Sequence, residues 1–157
     1  MIDKLTIEEI EETLHQNFIG RIGCHANDRT YIVPVSYAYD EGYIYVRSFE
    51  GMKLNIMRKN PAICFEVDAI TDMSNWRCVI ARGNFEELAK GEERNKGLRI
   101  LMERKLPALS SINAKLSGEW PFATKDYDSI PGVIFRILLT EKTGRFELNT
   151  ISYPFAM

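Results

Sequence analysis

The sequence predicts a mainly β protein whose strands, mostly antiparallel, close or half-close into a small barrel carrying a few short helices. Three observations predict it. Short runs rich in Val, Ile and Tyr recur from residue 19 onward at strand length. Turn residues stand between successive runs, and segments with helical spacing are few and short. Closing a sheet of about six or seven such strands removes the exposed edges that would otherwise template aggregation.

The first element is a helix over residues 6–17. Thr6 with Glu9 three residues later makes a capping box, and Ile7, Ile10, Leu14 and Phe18 follow at helical spacing. Gly20 is its predicted stop. Strands follow over 19–25, 30–39 and 43–48. Asp28 and Asp40-Glu41-Gly42 supply the turns between them, so the three are expected to form an antiparallel meander. A short helix over 51–59 places Leu54 and Met57 three apart and ends at Asn60-Pro61, since proline cannot continue the hydrogen-bond ladder. Two further strands are predicted over 62–68 and 77–88. A helix over 92–105 then gathers Leu98, Leu101 and Met102 on one face. Residues 107–131, with Ser110-Ser111, Gly118 and Pro121, read as an extended loop of a length seldom kept without a role. Strand character returns over 132–141, and 144–148 is expected to pair back across Lys142-Thr143-Gly144. No repeat, low-complexity tract or linker interrupts the pattern, so residues 1–157 are read as one domain.

Composition excludes several functions. Twenty basic residues against 22 acidic give a net charge of -2, which leaves no basic field to hold a nucleic-acid backbone. Tyr31, Tyr37, Tyr43 and Tyr45 could stack bases in a small-barrel nucleic-acid module, but the acidic balance opposes that reading. No apolar run approaches the ~20 residues that span a bilayer, and the best one, 132–140, is interrupted by Arg136. The N-terminal stretch is acidic and lacks the order of a secretory signal, so the expected address is the cytoplasm, without a membrane partner. Cys24, Cys64 and Cys78 are odd in number, form no CxxC pair and sit in apolar segments, which predicts reduced core thiols. His15 and His25 have no partner at metal-ligand spacing, and the serines form no nucleophile elbow. Neither metal binding nor hydrolysis is expected.

The stretch most informative about chemistry is Arg47-Ser48-Phe49-Glu50-Gly51-Met52-Lys53, at the junction of a predicted strand and helix. Helix N-terminal amides lack intrahelical acceptors, glycine allows close approach, serine offers a hydroxyl, and Arg47 and Lys53 add positive charge. That combination suits a phosphate monoester. It is neither the Walker arrangement nor the dinucleotide fingerprint, and a charged strand end is ordinarily just solvated.

The wider arrangement resembles the FMN-binding split-barrel family, that is, pyridoxamine-phosphate-oxidase-like proteins including the nitroimidazole-resistance type. The resemblance is carried by Ile22-Gly23-Cys24, by Tyr31-Ile32-Val33-Pro34-Val35-Ser36-Tyr37, and by Tyr45-Val46-Arg47-Ser48 through Gly51-Met52-Lys53. Asn60-Pro61-Ala62-Ile63-Cys64-Phe65-Glu66, Trp76, Val79 and Arg82-Gly83 continue it. It implies an antiparallel split β-barrel, a noncovalent FMN and a homodimer with each flavin at the subunit interface. By this resemblance, backbone groups of Val33, Pro34, Val35 and Ser36 contact the flavin ring. Arg47, Ser48, Gly51, Met52 and Lys53 hold the ribityl phosphate, and Arg82 lies near the flavin or across the dimer interface. Trp120 in the 107–131 loop is a candidate to cover the ring or the substrate pocket by stacking. The implied activity is ping-pong electron transfer from NADH or NADPH to a small acceptor such as a nitroaromatic or quinone, with the cofactor supplying the difficult chemistry. The alternative is a flavin- or haem-binding carrier or redox sensor without turnover, with His25 the one residue that could ligate iron. Two departures narrow the resemblance. The tail 148–157 lacks the basic residues that grip substrate phosphate in the vitamin B6 oxidases, and Arg47 stands where nitroimidazole-type members often carry a histidine.

Overall fold

A computed structural model of the chain describes residues 1–104 and 126–149. The element order is β1 (Ile2–Lys4), α1 (Ile7–Gln16), β2 (Ile19–Ala26), β3 (Arg29–Ser36), β4 (Ala38–Asp40), β5 (Tyr43–Ser48), α2 (Met52–Lys59), β6 (Ala62–Asp72), β7 (Asn75–Leu88), α3 (Glu92–Glu103), a single 3-10 turn (Tyr127–Ser129) and β8 (Val133–Leu148). The strands form one antiparallel sheet in the order β3-β2-β6-β7-β8-β5-β4, with β1 added to β8. The sheet is not closed, and its open ends are β3 and β4.

Those two ends are joined through a single residue, Tyr37, because the sheet curls until its edges meet. Every polar group of Tyr37 is used away from the ladder. Its amide donates to Phe18 O at 2.9 Å, its buried hydroxyl donates to Leu14 O at 2.7 Å, and its carbonyl accepts from Arg104 Nη1 at 2.7 Å. The predicted single strand over 30–39 is therefore two. β3 pairs with β2 and β4 with β5, so the expected three-strand meander is two hairpins on opposite edges of a split barrel.

Both hairpin turns fall where the sequence places them. Asn27 and Asp28 have φ of 52° and 60°, the left-handed pair that a two-residue turn between right-twisted strands requires. Glu41 and Gly42, at 46° and 83°, make the second. The capping box of α1 is present: Thr6 Oγ1 accepts from the Glu9 amide at 3.2 Å, and the Glu9 carboxylate accepts from the Thr6 amide at 3.0 Å.

Two glycines have other roles than the sequence predicts. Gly20 does not stop α1, which ends at Gln16 with Asn17 as its C-cap; it lies inside β2, where a Cβ would sit 2.2 Å from the Phe65 ring. Gly144 makes no turn, because β8 runs unbroken for 16 residues. A Cβ there would come within 2.7 Å of Leu5 Cδ1, so the missing side chain lets Leu5 and Ile10 settle on the strand. The main core lies inside the curl, with Leu14, Ile22, Ile44, Phe65, Phe135 and Ile137 fully buried. A second cluster, Tyr45, Leu98, Leu101 and Ile134, packs α3 against the other face of β5 and β8. Among the described residues no helix is long and apolar enough to cross a membrane.

All three cysteines are free, but only Cys24 is a core thiol. Cys64 and Cys78 are half-buried and alternate with the core residues Ile63, Phe65 and Val79, on the outer face of the sheet. Trp120, most of the loop expected over 107–131 and most of the C-terminal tail lie outside the described residues.

Candidate functional site

The junction of β5 and α2 places Arg47, Ser48, Gly51, Met52 and Lys53 together at the open side of the barrel. β5 is held by β8, with Arg47 opposite Ile134 and Ser48 opposite Val133. α2 then turns back to pack on β2, and Asn60 Nδ2 secures its far end by donating to His25 O at 2.8 Å. Leu54, Ile56 and Met57 are the buried side of this helix, which fixes its direction. The start of α2 meets the start of β3, where Arg29 Nη1 lies 3.4 Å from Met52 Sδ.

Two cations in this junction are half-buried. Burial holds the Arg47 guanidinium below its ordinary pKa and does the same to the Lys53 ammonium. Arg47 Nη1 donates to Pro131 O at 3.4 Å, and its guanidinium carbon stands 5.2 Å from the centre of the Phe49 ring. Among the described residues no carboxylate comes within ion-pair distance of Lys53. Gly51 caps α2 without a side-chain hydrogen bond, and a Cβ on it would meet only Phe49 O, at 4.0 Å. The first amides of the helix are thus approachable, with two partly desolvated cations beside them, and that donor set fits a phosphate.

Ser48 contributes differently from the other four. It is buried, and its hydroxyl donates to Phe49 O at 2.9 Å, so its O–H shapes the bend while its lone pairs remain acceptors. On β3, Val35 is buried in the core and Val33 packs against it, whereas Pro34 is exposed. Pro34 sits on an edge strand, where no second ladder donor is required. Arg82 stands on the outer face of the sheet on β7, across from Cys64.

Arg104 was not singled out in the sequence. It follows α3 directly, donates to the Tyr37 carbonyl, and its pKa is drawn down to about 10 by burial and by the charge of Arg47. Its basic neighbourhood gives no spacing signal, because α3 and β5 are joined only by the fold. Arg94 was missed for the same reason. It is buried in α3 and donates from Nη1 to Tyr127 O and from Nη2 to Ile130 O, both at 3.0 Å, which fixes the segment leading to Pro131. Of the two histidines, His15 packs edge-on against Tyr39 at 4.8 Å, and His25 Nδ1 lies 3.0 Å from Thr30 Oγ1 beside the hairpin turn.

Comparison with known proteins gives the fold and the family. The chain superposes on a FAD-binding protein of Mesorhizobium loti with a TM-score of 0.71 and 26% identity, over 95% of this chain and 98% of that one. It shares its fold with a FAD-binding protein of Mycobacterium smegmatis, at TM-score 0.65 and 22% identity over 92% and 98% of the two chains. The flavocytochrome Anf3 of Azotobacter vinelandii has the same fold at TM-score 0.64 and 14% identity, over 95% and 71%. An uncharacterized protein of Rhizobium meliloti is 30% identical over 81 residues, which is 52% of this chain and 54% of that protein, so the match spans about half of that relative's length. The family described as pyridoxamine 5'-phosphate oxidase matches residues 6–146, nearly the whole described barrel, and the chain belongs to that family.

Proposed function

We propose that the chain binds FMN noncovalently at the β5–α2 junction and acts as a flavin-dependent oxidoreductase. The observation that carries this reading is the pair of half-buried cations, Arg47 and Lys53, beside the uncapped start of α2. Desolvating a cation costs free energy that a phosphate dianion offsets. In this reading Lys53 and Arg47 neutralise the phosphate, the Gly51–Lys53 backbone donates to it, and the edge backbone of Val33, Pro34, Val35 and Ser36 lines the ring. Family membership supports the choice of a flavin, and so does the description of two structural relatives as FAD-binding proteins.

When bound, FMN supplies two-electron transfer between a reduced nicotinamide and a small acceptor such as a nitroaromatic or quinone. The chain's own residues bind and orient it, and exclude water from one side of it. The working form is a cytoplasmic homodimer, in which a second copy covers the side that the open barrel leaves exposed.

The test is a visible spectrum of the protein after incubation with FMN and removal of excess ligand, with the released chromophore identified by chromatography. About one FMN per chain is expected, together with much weaker retention of riboflavin, which lacks the phosphate. Equal retention of the two would remove the phosphate role from the junction, and preferential retention of FAD would replace FMN as the cofactor. Sustained oxidation of NADH or NADPH with an added acceptor then separates an enzyme from a carrier.

A further inference from the structure

The barrel splits at one residue. β3 stays on β2 as far as Ser36, which pairs with Ile19, and β4 joins β5 from Ala38, which pairs with Tyr45. Tyr37 between them belongs to neither ladder. Had the β4–β5 register run on, Tyr37 would oppose Val46 and Ser36 would oppose Arg47. The strands part there instead, so the split opens between the end of β3 and the end of β5, with Tyr37 at its apex. Where Tyr37 sits therefore decides how the β3 edge stands toward the β5–α2 junction.

Two of the bonds that hold Tyr37 come from the α1 side, through the carbonyls of Leu14 and Phe18. The one on its own carbonyl comes from Arg104, at 2.7 Å. Behind the apex, between the ends of α1 and α3, lies a cavity of about 440 Å³ with Tyr37, Ala38, Ile100 and Arg104 in its wall. Packing is incomplete on that side, and the guanidinium supplies a restraint that close-packed side chains would otherwise give. Its base is firm, because Arg104 follows Leu101 by three residues and Leu101 is buried in the cluster that contains Tyr45. Its head stands near the lip of the split: burial, and then the charge of Arg47, draw its pKa down to about 10.

We propose that Arg104 is a positioning residue for the flavin: by holding the Tyr37 carbonyl it fixes the β3 edge at the apex of the split, and with it the slot for the ring. The inference rests on the reading that the edge from Val33 to Ser36 lines that ring. It assigns Arg104 to the ring part of the cofactor, whereas Arg47 and Lys53 serve the phosphate.

The experiment measures the affinity of the full chain for FMN and for riboflavin, by quenching of flavin fluorescence, in the native protein, Arg104→Met and Arg104→Lys. Visible circular dichroism of the bound FMN is recorded for each. Arg104→Met should bind both ligands about tenfold more weakly, the loss of one hydrogen bond from a charged donor. The two losses should be equal, because the ligands share the ring and differ in the phosphate. Arg104→Lys keeps a charged donor and should recover most of the affinity and the native dichroism. If Arg104→Met does not fold, Arg104→Gln, which keeps a polar head on a shorter arm, takes its place. A lower melting temperature with both affinities unchanged would overturn the proposal, as would a loss that Arg104→Lys does not recover. Weaker FMN binding with native riboflavin binding would also overturn it, since Arg104 would then act as a charge on the phosphate. A native chain that binds neither ligand would instead sink the flavin reading itself, and this assignment with it.

Discussion

Lys53 shows how a single side chain supports a proposed binding role. Burial takes hydration from its ammonium and lowers its pKa, yet among the described residues no carboxylate is close enough to compensate. A lysine kept in that position without a carboxylate partner among the described residues is poised for an anion from outside. Lys53→Ala should weaken FMN binding by roughly 2–5 kcal/mol if the ammonium is buried against the phosphate, read by fluorescence titration. Unchanged affinity would take Lys53 out of the cradle. This residue was legible in the sequence because the strand–glycine–helix junction is local: Arg47, Gly51 and Lys53 lie within seven positions. Arg104 was not, since only the fold brings it to the Tyr37 carbonyl and into the field of Arg47.

At the scale of elements, α1 is tied to the barrel by more than its apolar face. Glu11 accepts from Lys142 and, at 2.6 Å, from the Tyr39 hydroxyl, which joins the helix to β8 and β4. Burial pushes the Glu11 carboxyl up, but those two hydrogen bonds and the charge of Lys142 outweigh it, and the net displacement is below the ordinary 4.5. A carboxyl whose folded pKa is depressed contributes stability that is fully present above its unfolded value and is lost as pH falls through the folded one. Denaturant melts should therefore show the native chain losing stability as pH drops below about 4.5, and Glu11→Gln should flatten that part of the profile while costing stability at pH 7. Identical profiles would mean the contact contributes nothing to docking of the helix. The elements themselves were legible wherever the signal is local, as in the Thr6–Glu9 capping box, the Asn27-Asp28 turn and the Asn60-Pro61 stop. They were misread where packing decides. Apolar alternation runs straight through Tyr37, and only Phe18, Leu14 and Arg104 reveal the break. Lys142-Thr143-Gly144 has the composition of a turn, but Leu5 and Ile10 use the glycine as a seat on a continuous strand.

Across the whole molecule, the second core cluster couples stability to the site. α3 buries Leu98 and Leu101 against Tyr45 and Ile134, and from the same helix Arg94 binds the carbonyls of Tyr127 and Ile130. Pro131 comes next in the chain, and its carbonyl accepts from Arg47. A line of contacts thus runs from the helix packed on one face of the sheet to the cation at the open side of the barrel. Arg94→Met keeps length and apolar volume but leaves the buried Ile130 carbonyl without its donor, while the Tyr127 carbonyl keeps the Ile130 amide at 3.3 Å. The expected loss of stability is roughly 1–3 kcal/mol, the cost of an unsatisfied buried acceptor. If the segment leading to Pro131 orients Arg47, FMN affinity should fall as well, while the further loss caused by Lys53→Ala in the same background should be as large as in the native chain. Lowered stability with native FMN affinity would show that Arg47 is positioned without Pro131, and would confine the role of α3 to packing.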